Sequence, residues 1–302
     1  MRDLSANLWR DLLERHQRLH IYTVDPGADA MASELVPLIS RLGRFGLWFA
    51  DGWSASHGKG KLPAAELLQS LSPGDGLIVG SQTDFSRTRQ IVRQAAAAGA
   101  ATIFVFDHWK NYAAHFDIDH LPDTIVVPDE ISLRMLTSAL GEIATDRVSI
   151  LPHLAIEAAA DRILSCGGAP QPGTILLLLD PTEPDDDLGY DWRSTLAAVS
   201  DYVAEKSLAH VLVKPHPRQN VSVVAGEIEA LRDRGFAADL CLEDTECLIA
   251  RAEEVWGMTT IALNIALAAG RPIRSFQVGR NAAGVRASNP HIEPFVISQS
   301  RH

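Results

Sequence analysis

The residues best suited to chemistry stand at the ends of apolar runs. Val211-Leu212-Val213 leads directly into Lys214-Pro215-His216-Pro217. An aliphatic run of this kind reads as a buried strand of a parallel sheet. The two prolines stop further ladder pairing and hold the chain extended. A Lys and a His are thereby left at the carboxyl end of the strand, where open α/β sheets bind their ligands. Neither side chain serves a core, and together they describe an anion-binding tip. Farther along, Val255-Trp256-Gly257-Met258-Thr259-Thr260 sets a glycine and two hydroxyls between a short strand and a helix rich in Ala and Leu. Thr259 or Thr260 would cap that helix. Its free N–H groups and dipole favour a phosphate, and Gly257 lets a ligand approach the backbone. The plainer reading is an ordinary capped helix after a turn.

The first half of the chain carries Phe106-Asp107-His108-Trp109-Lys110-Asn111-Tyr112 after another apolar run. Acid, imidazole, indole, amine, amide and phenol in succession exceed what a turn needs and suit a sugar site, with aromatic faces for rings and polar forks for hydroxyls. Asp107 and His108 are the candidates to deprotonate an acceptor hydroxyl. Alternatively, Asp107 caps a loop and Trp109 packs in a domain seam. Asp25, after the first strand, is either a base or a turn residue. The segment from Asp51 to Lys59 forms another wall of the same region or a flexible loop. Asp185-Asp186-Asp187 lacks a calcium-loop register and reads as a solvated helix start. His153, His210 and His291 are isolated and read as structural.

The elements that must position these residues alternate. Strands are expected at His20–Val24, Gly46–Ala50, Gly76–Val79, Thr102–Phe106, Thr124–Val127 and Val148–Leu151. Helices fill Ala28–Arg41, Pro63–Leu71, Phe85–Ala98 and Glu130–Leu140. A glycine- and proline-rich stretch, Gly167 to Gly173, precedes a second series. Its strands are Thr174–Leu179, His210–Val213, Ala237–Leu240, Glu254–Trp256 and Ile273–Gln277. Its helices are Trp192–Lys206, Ser222–Arg232, Thr245–Ala252 and Thr259–Ala269. This pattern predicts an α/β protein of two Rossmann-like, doubly wound domains, residues 1–165 and 166–302, facing a cleft that would hold the ligand. Ser275 to Gly279 would help close the site, and the chain from Arg280 onward reads as polar and irregular.

Composition narrows the classes. The 302 residues are 46% hydrophobic and 22% charged, as in a folded domain. Lys and Arg number 27 against 38 acidic residues, a formal charge of −11. That argues against nucleic acid as a partner, since phosphate backbones need clustered cations, but leaves room for a small anion in a locally positive pocket. Cys166, Cys241 and Cys247 have neither zinc nor disulfide spacing. They fit a reducing compartment and a role as small buried hydrophobes. Residues 4–19 are amphipathic and charged, unlike a leader peptide, and read as a helix packed on the domain or resting on a membrane surface. The longest apolar stretch, Ala95 to Phe106, is too short to cross a bilayer. A cytoplasmic protein is expected, with peripheral membrane association as an open option.

His216-Pro217 after a strand, with a hydroxyl pair opening a helix that runs into Ala-Leu-Ala-Ala-Gly-Arg-Pro, resembles the donor half of certain GT-B glycosyltransferases. The similar families build bacterial capsule polysaccharides, transfer sialic or Kdo-type sugars, or transfer glycerol phosphate in teichoic acid synthesis. The similarity covers roughly residues 174–279. Here Thr-Thr stands where the glycerophosphotransferases have Ser-Ser. The resemblance implies a metal-independent enzyme that moves a sugar from a nucleotide-activated donor, CMP- or CDP-linked, with no further cofactor. It assigns the donor's phosphate or nucleotide to His216, Thr259 and Thr260, with Lys214, Pro217, Glu246 and Gly257 around them. Its partners would be a nucleotide-sugar and a carbohydrate or glycoconjugate acceptor, with Asp107, His108 and His216 as the catalytic candidates. Two alternatives share the frame: a nucleotide-sugar epimerase or hydrolase, and a non-catalytic sugar-nucleotide-binding scaffold protein.

Overall fold

The computed structural model describes residues 2–57, 60–82, 84–109, 111–166, 169–182, 191–206, 210–277 and 289–297. The chain divides into two compact units, Met1–Ala158 and Ala159–His302. The division falls inside a helix, α7 (Leu154–Ser165), a few residues before the boundary expected at 165.

The first unit contains seven strands: β1 (Leu19–Thr23), β2 (Phe45–Ala50), β3 (Leu62–Pro63), β4 (Gly76–Gly80), β5 (Ala101–Val105), β6 (Thr124–Val127) and β7 (Val148–Ile150). They form one parallel sheet in the order β3-β2-β1-β4-β5-β6-β7. Its helices are α1 (Arg2–Leu13), α2 (Pro26–Arg41), α3 (Gly52–His57), α4 (Leu67–Ser70), α5 (Phe85–Ala97), α6 (Glu130–Leu140) and the start of α7. Alternation along a strand sends side chains to opposite faces. Ile103 and Val105 accordingly join Trp9, Met31 and Leu35, while Phe104 and Phe106 join Tyr112, Phe116 and Leu136. Burial on both faces explains why these strands are continuously apolar.

The second unit repeats the scheme with β8 (Thr174–Leu178), β9 (His210–Lys214), β10 (Ala238–Leu240), β11 (Glu254–Gly257), β12 (Ile273–Phe276) and β13 (Val296–Ile297), all parallel in the order β10-β9-β8-β11-β12-β13. Helices α8 (Trp192–Lys206), α9 (Val221–Arg232), α10 (Thr245–Arg251) and α11 (Ile261–Ala268) cover it. Leu177 and Leu179 pack with Trp192, Val199 and Val224, and Leu176 and Leu178 with Leu248 and Leu263. Polar caps mark the helix starts: Asp84, Asp129, Asn220, Asp244 and Thr260 each accept a hydrogen bond from a first-turn N–H. The expected α/β class, with two Rossmann-like doubly wound units, is therefore what the chain forms.

Several expectations need correction. The helix expected over Pro63–Leu71 is instead the end of strand β3, a 3₁₀ turn at Ala64–Glu66 and the short α4. Asp51 to Lys59 contains helix α3 rather than an irregular loop in its described part. Residues 289–297, expected to be irregular, hold a 3₁₀ turn and β13. Of the cysteines only Cys241 is buried; Cys166 and Cys247 are exposed. The acidic run 185–187 and Val278-Gly279 lie outside the described residues. Among the described residues no helix is long and apolar enough to cross a membrane, and no cluster of His, Cys, Asp and Glu could hold a metal ion.

Candidate functional site

In the second unit, strand order reverses between β8 and β11, which makes the carboxyl ends of these two strands the switch point of the sheet. Three segments meet there. After β8 the chain reaches Asp180, a buried acid. Its Oδ2 accepts from the Thr259 N–H at 2.6 Å and from the Thr259 hydroxyl at 2.9 Å. After β9 comes the Lys-Pro-His-Pro turn, tied to the same acid through Gln219. Gln219 Oε1 accepts from the His216 N–H at 2.7 Å, and its Nε2 donates to the Asp180 carbonyl at 3.2 Å. After β11 the chain turns at Gly257 into Thr259 and Thr260. A Cβ on Gly257 would lie 3.3 Å from both the Leu178 carbonyl oxygen and the Leu263 side chain, a tight fit that would make these neighbours give by a few tenths of an ångström.

The two threonines divide their work. Thr260 is the cap of α11 and its hydroxyl accepts from the Ala262 N–H at 3.3 Å. Thr259 turns back to Asp180 and lies outside the helix, which starts two residues later than expected. His216 is half-buried. Its Nδ1 accepts from the Arg218 N–H at 3.1 Å, which places the proton of a neutral ring on Nε2. Burial, and secondly the Arg218 charge, hold its pKa below the usual histidine value. The ring is therefore a neutral donor at physiological pH.

Other candidates fall elsewhere. Lys214 ends β9, but its ammonium donates to the Glu243 carbonyl at 2.7 Å. Glu243 follows β10, on the side of β9 away from β8 and β11. Glu246, in the first turn of α10, is held in a two-pronged ion pair by Arg162 at 2.6 and 2.7 Å. Pro217 is exposed at the tip. At the end of β12, Gln277 donates to the Ser275 hydroxyl, which donates to the Met258 carbonyl beside Thr259. Gln277 Oε1 is buried without a partner.

The first unit places Asp107 and His108 just beyond β5. Asp107 accepts from the Ser81 hydroxyl, and its own N–H donates to the Ser81 oxygen at 3.2 Å. Its carboxylate rests against the first turn of α2, only 1.7 Å from where a Cβ on Gly27 would stand. A negative group is favoured at that end of a helix. His108 lies beside His115, ring centroids 5.8 Å apart, and its Nδ1 is buried without a hydrogen-bond partner. The aromatic residues of this segment do not offer faces to a sugar. Trp109 is 3% and Tyr112 4% exposed. The Trp109 indole donates to Asp129 at 2.7 Å and stacks on His153. His153 in turn takes the Ile156 N–H on Nδ1 and bonds the Asp107 carbonyl through Nε2 at 3.1 Å, a structural role. Trp53, by contrast, is exposed and stacks on His57 in α3 at 4.3 Å. Nearby in sequence, Asp51 accepts from Tyr22 at 3.0 Å and from two nitrogens of Arg87 at 3.0 and 3.1 Å.

The Gly27–Asp107 contact gives a test of whether Asp107 is locked in place. Gly27→Ala should cost about 1–2 kcal/mol through loss of the Ser81 bond and local repacking. Asp107→Ala should recover much of that cost, because it removes the side chain that the new methyl strikes. Urea unfolding of both single variants and the double variant measures the coupling. Additive costs would mean that the carboxylate moves aside freely.

Asp180 and Gln219 were not singled out by sequence reasoning. Asp180 had one signal, an acid directly after the most apolar strand. Gln219 had none beyond its place three residues after His216.

No family model matches the chain, and no curated protein matches it. Solved structures do. The UDP-GlcNAc 2-epimerase from Neisseria meningitidis bound to UDP-GlcNAc superposes with a TM-score of 0.60 at 10% identity, over 91% of this chain and 84% of that one. The UDP-GlcNAc 2-epimerase from Methanocaldococcus jannaschii gives 0.58 at 13% identity, over 94% and 89%. A variant of the wall teichoic acid polymerase TagF gives 0.51 at 10% identity, over 91% and 74%. At these identities the likeness is one of fold.

Proposed function

We propose that the second unit is the donor site of a glycosyltransferase-like enzyme. The donor would be a nucleotide-activated sugar, CMP- or CDP-linked, used in surface polysaccharide or glycoconjugate synthesis. The observation that carries this reading is the bonded chain His216–Gln219–Asp180–Thr259 across the carboxyl ends of β9, β8 and β11. It ties the His216 backbone and the Thr259 turn before α11 to the end of β8, and on this reading the imidazole Nε2–H would face the same ligand. Fixed donors of this kind stabilise the charge that develops on a departing phosphate. Lys214 and Glu246 would contribute only after leaving their present partners. An acceptor hydroxyl would be activated from the first unit. His108 is the stronger candidate there, because Asp107 already serves Ser81 and α2.

Calorimetry with CMP, CDP and UDP tests the site. Binding of a cytidine nucleotide, followed by sugar transfer to a glycan acceptor, is the expected result. No binding to any of the three would end the donor-site reading. A second reading is an epimerase, an activity carried by the solved UDP-GlcNAc 2-epimerases that share this fold. An epimerase would prefer UDP and would convert a UDP-sugar to its 2-epimer with no acceptor present, which proton NMR of the product distinguishes.

A further inference from the structure

Two of the three cysteines meet on the surface of the second unit. Cys166 follows the last turn of α7, and its N–H donates to the Arg162 carbonyl at 3.0 Å. Cys247 lies in the first turn of α10, where its N–H donates to Asp244 at 3.2 Å. Two sets of contacts hold these helix segments together. Arg162 grips Glu246, the neighbour of Cys247, through two nitrogens. Ala160 and Ile163, on the same stretch of α7, share a buried cluster with Leu248 and Ile249 of α10. One helical turn on from Arg162, the Cys166 thiol is in hydrogen-bonding contact with the Cys247 thiol. Both of these cysteines are exposed, whereas Cys241 is buried.

A buried free cysteine behaves as an inert small hydrophobe. An exposed pair in contact does not, because an oxidant that reaches one sulfur finds the other in place to resolve it. We propose that Cys166 and Cys247 form a redox modification site, at which a hydroperoxide oxidises the two thiols to a reversible disulfide that fastens α10 to α7. With hydrogen peroxide, one thiolate attacks an oxygen, the O–O bond breaks, water leaves and a sulfenic acid forms. The second thiol attacks that sulfur. The S–S bond forms and the sulfenic oxygen leaves as a second water. Two electrons pass from the sulfurs to the peroxide. A dithiol reductant reverses the bond by exchange. In a reducing compartment the pair rests as thiols, and a disulfide there is a response to oxidant rather than a fixed brace. Once made, the bridge closes a long loop through β8, β9 and β10, and so restricts the unfolded chain.

The test treats the full chain with hydrogen peroxide and counts its thiols after unfolding. The count should fall from three to one. A peptide map without reductant should show the Cys166 peptide joined to the Cys247 peptide, and dithiothreitol should restore all three thiols. The melting temperature should rise by about 5–10 °C on oxidation and return on reduction. Cys166→Ser and Cys247→Ser lie at exposed positions; each should fold normally and abolish both the joined peptide and the rise. Thiols that end as sulfinic acids, or as bridges between molecules, overturn the proposal. So does a count that stays at three under peroxide that oxidises free cysteine. A joined peptide without any rise in melting temperature overturns the fastening of α10.

Discussion

Replacing His115 by Leu should make the protein much less sensitive to acid. His115 is fully buried, with Phe85, Phe104 and Phe106 at ring distances of 4.8 to 5.3 Å, and neither ring nitrogen has a hydrogen-bond partner. Burial, then the His108 and Arg89 charges, press its pKa down to about 3 from the ordinary 6.5. An unfolded chain takes up the proton near pH 6.5, whereas the native ring refuses it until about pH 3. Stability is thus intact above pH 6.5 and is lost as pH falls, at up to about 1.4 kcal/mol per pH unit. By pH 5 the loss from this one ring is about 2 kcal/mol. His16, His20, His153 and His216 are also lowered, mainly by burial, and act in the same direction.

Urea unfolding at pH 7.5 and pH 5 isolates the effect. The wild type should lose about 2 kcal/mol more than H115L between the two conditions. Comparing each protein with itself removes the packing change that Leu introduces. Equal losses would show that the ring finds a proton-accepting route in the native state, and that the aromatic cage is more open than its geometry indicates.

Most strands of both sheets were legible because each is an apolar run between turns; of the candidate residues, Asp107, His108, His216 and Thr259 follow strand ends, Lys214 and Gly257 close their strands, and Glu246 lies in α10. What escaped were features set by tertiary neighbours. Strands β3 and β13 are two residues long and lie near sheet edges, so no periodic signal marks them. Thr259 and Thr260 were equally suited to cap the helix; Thr260 does so, and Thr259 instead bonds Asp180, 79 positions away. Glu246 looked available until Arg162, 84 positions away, closed on it. Trp109 and Tyr112 suggested sugar-binding faces because their types suit one, but type alone does not tell a buried indole bonded to Asp129 from an exposed one. Composition and spacing therefore recover where the carboxyl ends are. Which side chains are spent on one another there is decided by strand order, and strand order brings together residues that sequence keeps far apart.

His216→Ala should weaken CDP binding by roughly thirty- to hundredfold, about 2–3 kcal/mol, as expected for loss of a hydrogen bond to a charged group. The pH dependence makes the assignment sharper. In the free protein the His216 pKa is depressed by burial and by Arg218. An anionic phosphate on Nε2 favours the protonated ring and raises that pKa. Affinity should therefore increase as pH falls from the bound pKa to the free one. The ligand's terminal phosphate itself titrates near pH 6 and pulls the other way, since it loses charge on acidification. His216→Gln separates the two: it keeps a neutral donor, recovers part of the affinity and cannot gain a proton. The difference between wild-type and H216Q profiles from pH 5.5 to 8 is then the contribution of the imidazole alone. Superimposable profiles, with H216A binding as tightly as the wild type, would reduce His216 to a turn residue whose work ends at the Arg218 N–H.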